Sequence, residues 1–226
     1  MEQHITATTA DLIRQLSADG VQLVAVSKFH PAQAVMAAYR AGQRDFGESR
    51  AAELVGKATQ LPDDIRWHFI GHLQTNKVRM IMPHVSMIQS VDSERLLRLI
   101  DSEARRIGRT VDILLQIHVA IEETKTGFTA DELLALLTTL SPGQLPGVRV
   151  RGIMGMASNT DDTDRIRADF QAIHDTFQAI RNTPYLSGQP CCDTISMGMS
   201  HDYPTAISCG STMVRIGTTI FGQREY

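Results

Sequence analysis

Short apolar runs alternate with longer amphipathic stretches from one end of the chain to the other. Eight runs read as strands: "VQLVAVS" (21–27), "RDFGE" (44–48), "RWHFIG" (66–71), "VSMIQSV" (85–91), "VDILLQIHV" (111–119), "VRVRGIMGM" (148–156), "DTISMGM" (193–199) and "TMVRI" (212–216). The stretches between them carry the helical period. In "DDTDRIRADFQAIHDTFQAI", Ile166, Phe170, Ile173, Phe177 and Ile180 fall on one face in steps of four and three. "TADELLALLTTL" opens with a capping box, Thr129 facing the amide of Glu132 and Glu132 reaching back. "SERLLRLIDSEARRIG" predicts a helix that stops at Gly108, and "PAQAVMAAYRAG" one that begins near Pro31 and ends at Gly42. "TTADLIRQLSADG" predicts an extra helix ahead of the first strand.

Strands that alternate with helices predict a parallel sheet built of βαβ units. Eight units predict one (β/α)₈ TIM barrel spanning residues 1–226, at the small end of that fold's range. The competing fold, an open doubly wound sheet, would serve its common functions with a glycine-rich fingerprint after the first strand. Neither GxGxxG nor a P-loop is present.

Composition narrows the function. With a net charge of −3, 42% hydrophobic and 21% charged residues, and no basic stripe, the chain is not expected to bind nucleic acid. No run reaches roughly 18 consecutive apolar residues, and the opening segment lacks a signal peptide's apolar core. A cytoplasmic protein without a membrane partner is expected, acting as a monomer. Cys191, Cys192 and Cys209 form no CxxC pair, so they read as reduced and structural. Only four of the 22 basic residues are lysines, so chemistry that needs a primary amine has few candidates: Lys28, Lys57, Lys77 and Lys125.

In a parallel barrel, function gathers where the strands' C-terminal ends meet. Lys28 is the one lysine delivered there directly off an apolar strand. Apolar walls depress an amine's pKa and ready it for an aldehyde. Ser200, at the end of strand seven, and Gly217-Thr218, after strand eight, offer hydroxyls and closely approachable backbone where barrels often hold phosphate. Arg215 leaves the same strand end with a permanent charge. A lysine for a Schiff base, a phosphate cup and an arginine near a ring nitrogen are the parts of a pyridoxal 5′-phosphate (PLP) site.

The ordered motifs "AVSKFHP", "FGESRAAEL", "WHFIGHLQTNK", "TKTGF", "RGIMGM", "SMGMS" and "GSTMVRIGTTIFG" resemble the pyridoxal phosphate homeostasis protein family (the YggS/PROSC family) across nearly the whole chain. That family is a single-domain relative of the N-terminal barrel of alanine racemase. The resemblance implies a fold-type III site in which Lys28 carries PLP as a Schiff base, Ser200, Gly217 and Thr218 bind its phosphate, and Arg215 faces the pyridine nitrogen. It also implies a cofactor contact at Ser49, where the family usually has Asn and this chain offers a shorter hydroxyl. Two further departures, His72 in "GHLQ" and His201 in "SHD", add imidazoles near the mouth.

An arginine at the ring nitrogen discourages its protonation and weakens the ring as an electron sink. Alanine racemases add a second domain and a partner's tyrosine base; here the chain ends at Tyr226, directly after the last barrel motif, and Tyr39, Tyr185 and Tyr203 fall in or beside helices. The expected role is therefore non-catalytic: holding, buffering or delivering PLP, with PLP-dependent apo-enzymes as recipients. The alternatives are a low-activity amino-acid racemase or decarboxylase and a cofactor-free Schiff-base aldolase using Lys28.

Other residues read as structural. His68 and His72 have a helical metal spacing, but on a strand four residues span about 13 Å, too far for one ion. Lys125, beside Glu122 and Glu123, reads as a surface ion pair, and Lys77 with Arg79 as a solvated face. Met154, Met156, Met197 and Met199 read as core filling, and Cys209 as packing.

Overall fold

Every predicted strand forms, and each pairs in parallel with its neighbours in chain order. The structure, a computed structural model, describes residues 1–120, 126–187 and 191–223. Within them β1 (Gln22–Val26), β2 (Asp45–Glu48), β3 (Arg66–Phe69), β4 (Val85–Val91), β5 (Val111–Gln116), β6 (Val148–Met154), β7 (Thr194–Ser196) and β8 (Met213–Ile216) close into one barrel. The seam sets Gln22–Ala25 of β1 against Met213–Ile216 of β8. This is the expected (β/α)₈ barrel.

The helices α1 (Glu2–Ala18), α2 (Ala32–Arg40), α3 (Ala51–Ala58), α4 (Val78–Ile81), α5 (Glu94–Arg106), α6 (Ala130–Thr139), α7 (Thr163–Arg181), α8 (Pro184–Ser187), α9 (Tyr203–Ser208) and α10 (Thr218–Phe221) follow the strands around it. Their ends obey local chemistry. Thr129 and Glu132 close the predicted capping box at 3.2 and 2.9 Å, and Asp162 accepts from the amides of Asp164 and Arg165 to start α7. The five apolar residues foreseen on α7 are all buried. α1 starts six residues before its predicted beginning at Thr8, because Ile5 continues the buried row of Thr9, Leu12 and Leu16. Among the described residues no helix is long and apolar enough to cross a membrane.

Several strands end earlier than their apolar runs. β5 stops at Gln116, with only a lone bridge from Ile117 to Phe128 beyond it. β7 stops at Ser196, since Gly198 takes a positive φ of 97° that an extended ladder cannot continue. Ser200, expected at the strand's end, therefore lies in the following turn. Between β6 and β7 the backbones approach so closely that any Cβ on Gly152 would collide with the Thr194 carbonyl.

The main core lies between sheet and helices, where Phe46, Trp67, Ile88, Leu97, Ile113, Phe170 and Phe177 pack. Inside the barrel a smaller cluster of Val24, Met87, Leu114, Met154 and Met213 fills the axis. Ion pairs gather at the N-terminal ends of the strands: Arg66 with Asp45, and Asp112 with Arg149 and Arg151. What remains open is the opposite end.

Candidate cofactor site

A cavity of about 250 Å³ occupies that end. Val26, Ile70, Met156 and Met199 supply its apolar walls, and Lys28, Ser200, His201, Arg215 and Thr218 its polar groups, with Gly217 beside them. Lys28, two residues past the end of β1, is half-buried. Met156 and Met199, read from sequence as core filling, instead face the cavity, because both lie beyond the last paired residues of β6 and β7. Met154 and Met197 are core, as expected.

Arg215 comes from the inward face of β8 and is almost fully enclosed. Its guanidinium donates to the Ser196 carbonyl at 2.8 Å, to Ser196 Oγ at 2.6 Å and to the Gly155 carbonyl at 3.0 Å. Burial pulls its pKa down to about 10, against the opposing charge of Asp202, so it remains a cation at neutral pH. Behind it runs a column of side chains that sequence reading missed. Ser196 Oγ donates to Gln89 Oε1 at 2.7 Å, Gln89 Nε2 lies 2.9 Å from His68 Nδ1, and His68 Nε2 lies 3.1 Å from Asp45 Oδ1. Burial opposes ionisation of Asp45, but hydrogen bonds from His68 and Arg66 outweigh it and hold the carboxyl well below its usual range. An ionised Asp45 fixes the His68 tautomer: Nε2 carries the proton and Nδ1 accepts from Gln89. Every hydrogen bond then points the same way, from Arg215 towards the barrel floor. The signal was present in the sequence as polar residues interrupting apolar strand runs.

The corner where Ser200 meets Gly217 and Thr219 is built from a hydroxyl and backbone amides. Ser200 Oγ accepts from the backbone N–H of Gly217 at 3.3 Å and of Thr219 at 3.4 Å. These are long bonds, so hydroxyl and amides converge without being tightly spent on one another. A Cβ on Gly217 would stand 3.2 Å from the Val26 carbonyl, which makes glycine the residue that lets this loop close on β1. Asp202 holds the preceding turn by accepting from the Met199 amide at 2.5 Å, and His201 Nε2 sits 3.3 Å from the same carboxylate. Converging hydroxyls and backbone N–H groups suit a phosphate dianion, and the enclosed arginine suits an aromatic ring nitrogen, so these residues fit the expected cofactor.

The lysine corner is built from charges. Ser27 Oγ donates to Glu48 Oε1 at 2.6 Å, and Lys57 Nζ donates to the same oxygen at 2.6 Å, to Glu53 Oε1 at 2.8 Å and to the Ser27 carbonyl at 2.8 Å. Burial pushes the Glu48 carboxyl up to about 7 against the pull of Lys57 and Ser27. Lys57, one of the four candidate amines, is thus an enclosed structural cation.

The other amines and histidines lie elsewhere. Lys77 and Ser49 line a neighbouring cavity of about 310 Å³, together with Arg50, Phe69, His72 and Gln74. Ser49 is not among the residues lining the Lys28 cavity. His72 pairs with Asp92 at 2.9 Å, while His68 points into the barrel, and among the described residues no cluster of potential metal ligands forms. Arg79, on the expected exposed face, reaches Glu103 at 2.9 Å. Lys125, Glu122 and Glu123 lie outside the described residues, as does Tyr226. Tyr39 donates to Asp64, Tyr185 is buried, and Tyr203 begins α9; none of the three lines the cavity. Cys209 is buried at the end of α9, as packing requires.

The family described as alanine racemase, N-terminal domain, matches residues 3–225. The pyridoxal phosphate homeostasis protein of Schizosaccharomyces pombe is 39% identical over 223 residues, covering 95% of this chain and 91% of its own length. PipY of Synechococcus elongatus, solved with PLP bound, superposes with a TM-score of 0.85 at 37% identity, over 96% of this chain and 100% of its own. Alanine racemase from Corynebacterium glutamicum, at 16% identity and a TM-score of 0.76 over 98% of this chain and 62% of its own, shares the fold.

Proposed function

The chain belongs to the pyridoxal phosphate homeostasis protein family, within the alanine racemase N-terminal domain family, and on that footing we propose that it binds PLP at the mouth of its barrel and acts as a carrier that buffers or delivers the cofactor. One observation carries the reading: Lys28, from the start of the chain, and Ser200, Arg215, Gly217 and Thr218, from its end, line one cavity. Ser49 stands outside the proposed contacts, since it faces the neighbouring cavity.

When bound, PLP supplies an aldehyde for an amine and a pyridine ring that can draw electrons. The chain's residues divide the work of holding it. Lys28 offers the amine, half-buried against Val26 and Ile70. Ser200, Thr218 and the amides of Gly217 and Thr219 accommodate the phosphate as neutral donors, which release a dianion more readily than a fixed cation would. Arg215, charged at neutral pH and already tied to Ser196 and Gly155, presents a donor to the ring nitrogen and keeps a proton off it. A ring so held draws electrons weakly, and no described tyrosine stands in the cavity as a base. Both features favour carriage over turnover. A single chain supplies the whole set, as a monomeric carrier that hands PLP to apo-enzymes requires.

Mixing the purified protein with PLP should produce a near-visible absorbance band that borohydride fixes as a label on Lys28, found by peptide mapping. A label on Lys77 or Lys125 instead would refute the assignment. Protein left colourless by added PLP would favour the cofactor-free aldolase, and amino-acid racemisation well above that of free PLP would make the protein an enzyme.

A further inference from the structure

The turn that carries Lys28 is held in a conformation its own sequence disfavours. Ser27, directly after β1, donates its amide to the Gly47 carbonyl, and the His30 amide returns to the Ser27 carbonyl at 3.1 Å, closing a four-residue turn. Lys28 and Phe29 occupy its centre, and Phe29 has a φ of 68°, the one described non-glycine residue with positive φ. Turns of this pattern ordinarily place glycine or asparagine there. A bulky residue in the left-handed region costs about 1–2 kcal/mol, so neighbours must impose it.

Those neighbours come from β2 and α3. Glu53 accepts the Phe29 amide at 2.7 Å, and Lys57 donates to the Ser27 carbonyl at 2.8 Å, so the peptide groups on both sides of Lys28 are gripped. Glu48 ties Ser27 Oγ to Lys57, and the Arg50 guanidinium covers the Phe29 ring at 4.5 Å. Glu53 and Lys57 are four apart on one helix face, bonded to each other at 2.8 Å. An enclosed ionic cluster is a poor way to gain stability, since apolar side chains of the same size usually do as well. Glu48 even leaves Oε2 without a hydrogen-bond partner inside the protein. What the cluster does, and an apolar patch could not, is fix a peptide N–H and a peptide C=O in space.

We propose that Glu53 and Lys57, braced by Glu48, are positioning residues that lock the Ser27–Phe29 turn so that the Lys28 amine meets the cofactor aldehyde in a productive orientation. The proposal rests on Lys28 being the cofactor lysine. Capture condenses the deprotonated amine with the aldehyde: a C=N bond forms, the C=O bond is lost and one water leaves. The clamp acts on the geometry of that encounter and leaves the phosphate cup untouched.

The test uses the full chain as apo-protein and two ligands: PLP, and pyridoxine 5′-phosphate, which keeps ring and phosphate but has no aldehyde. In stopped-flow mixing, Glu53→Ala and Lys57→Met should slow formation of the PLP absorbance band by about tenfold to a hundredfold. Pyridoxine 5′-phosphate affinity by equilibrium dialysis should stay within about twofold, below the scale of one lost hydrogen bond. Glu53→Gln, which retains an oxygen for the Phe29 amide, should recover most of the rate; it also reads the proposal if Glu53→Ala fails to fold. Capture at the wild-type rate in Glu53→Ala or in Lys57→Met would overturn the clamp, as would an equal loss of affinity for both ligands. Peptide mapping of the reduced wild-type complex separates the two ideas: a label away from Lys28 overturns the site itself, whereas a Lys28 label with unslowed variants overturns only the clamp.

Discussion

The two corners of the mouth are held by opposite means. Around Lys28 the chain uses an enclosed ammonium, two carboxylates and a strained turn. Around Ser200 and Gly217 it uses hydroxyls and peptide groups, with Arg215 anchored by neutral oxygens from Ser196 and Gly155. On the proposed function, the difference follows from what each corner must do. A charged cluster can fix a backbone because Lys57 donates at once to Glu48, Glu53 and the Ser27 carbonyl while Glu53 accepts the Phe29 amide. A corner that receives a dianion and gives it up again is better built from dipoles, whose hold is weaker and directional.

The comparison breaks most severely at Arg215. Arg215→Met removes the donor from two enclosed carbonyls and should cost roughly 2–5 kcal/mol by urea denaturation without any ligand. An unchanged midpoint would mean that the guanidinium serves the ligand alone and the column behind it bears no structure. Next in size, Ser200→Ala with Thr218→Val should weaken PLP binding by about 10- to 100-fold in equilibrium dialysis while the borohydride label stays on Lys28 at saturating cofactor. Loss of the label at unchanged affinity would show that the corners are not separable.

The smallest effect sharpens the charged corner. Folded Glu48 holds its proton up to about pH 7, whereas an unfolded carboxyl releases it near 4.5. The native state therefore binds more protons in that window, and stability falls as pH rises from about 4.5 to about 7. Glu48→Gln should remove that slope, a difference on the order of 1–3 kcal/mol across the window in denaturation midpoints taken against wild type. Asp45 has the opposite sign: its depressed carboxyl stabilises the fold above its usual range and loses that contribution in acid. The variant-minus-wild-type difference isolates Glu48 from it.

Strand order and the Thr129–Glu132 capping box were legible because each rests on local periodicity or a short motif, whereas Met156 and Met199 read as core filling and line the cavity instead. Lys28, Arg215, Ser200, Gly217 and Thr218 could be named because strand ends in a parallel barrel share one face. The supporting residues were less legible, for a physical reason. Lys57 has the same local sequence context as any exposed helical lysine, and only the packing of α3 against β2 reveals that it is enclosed with Glu48. Gln89 and His68 likewise become partners only when β3, β4 and β7 curve around a common axis. Ser49, expected from the resemblance to contact the cofactor, lines the adjoining cavity and is not among the residues lining the one around Lys28.

The seam between β1 and β8 has a consequence for how the protein is made. Residues Gln22–Ala25 leave the ribosome well before their partners Met213–Ile216. A chain lacking β8 would carry Lys28 without Arg215, Gly217 and Thr218 beside it, so on the proposed reading the capacity to hold a cofactor arrives with that strand rather than growing during synthesis.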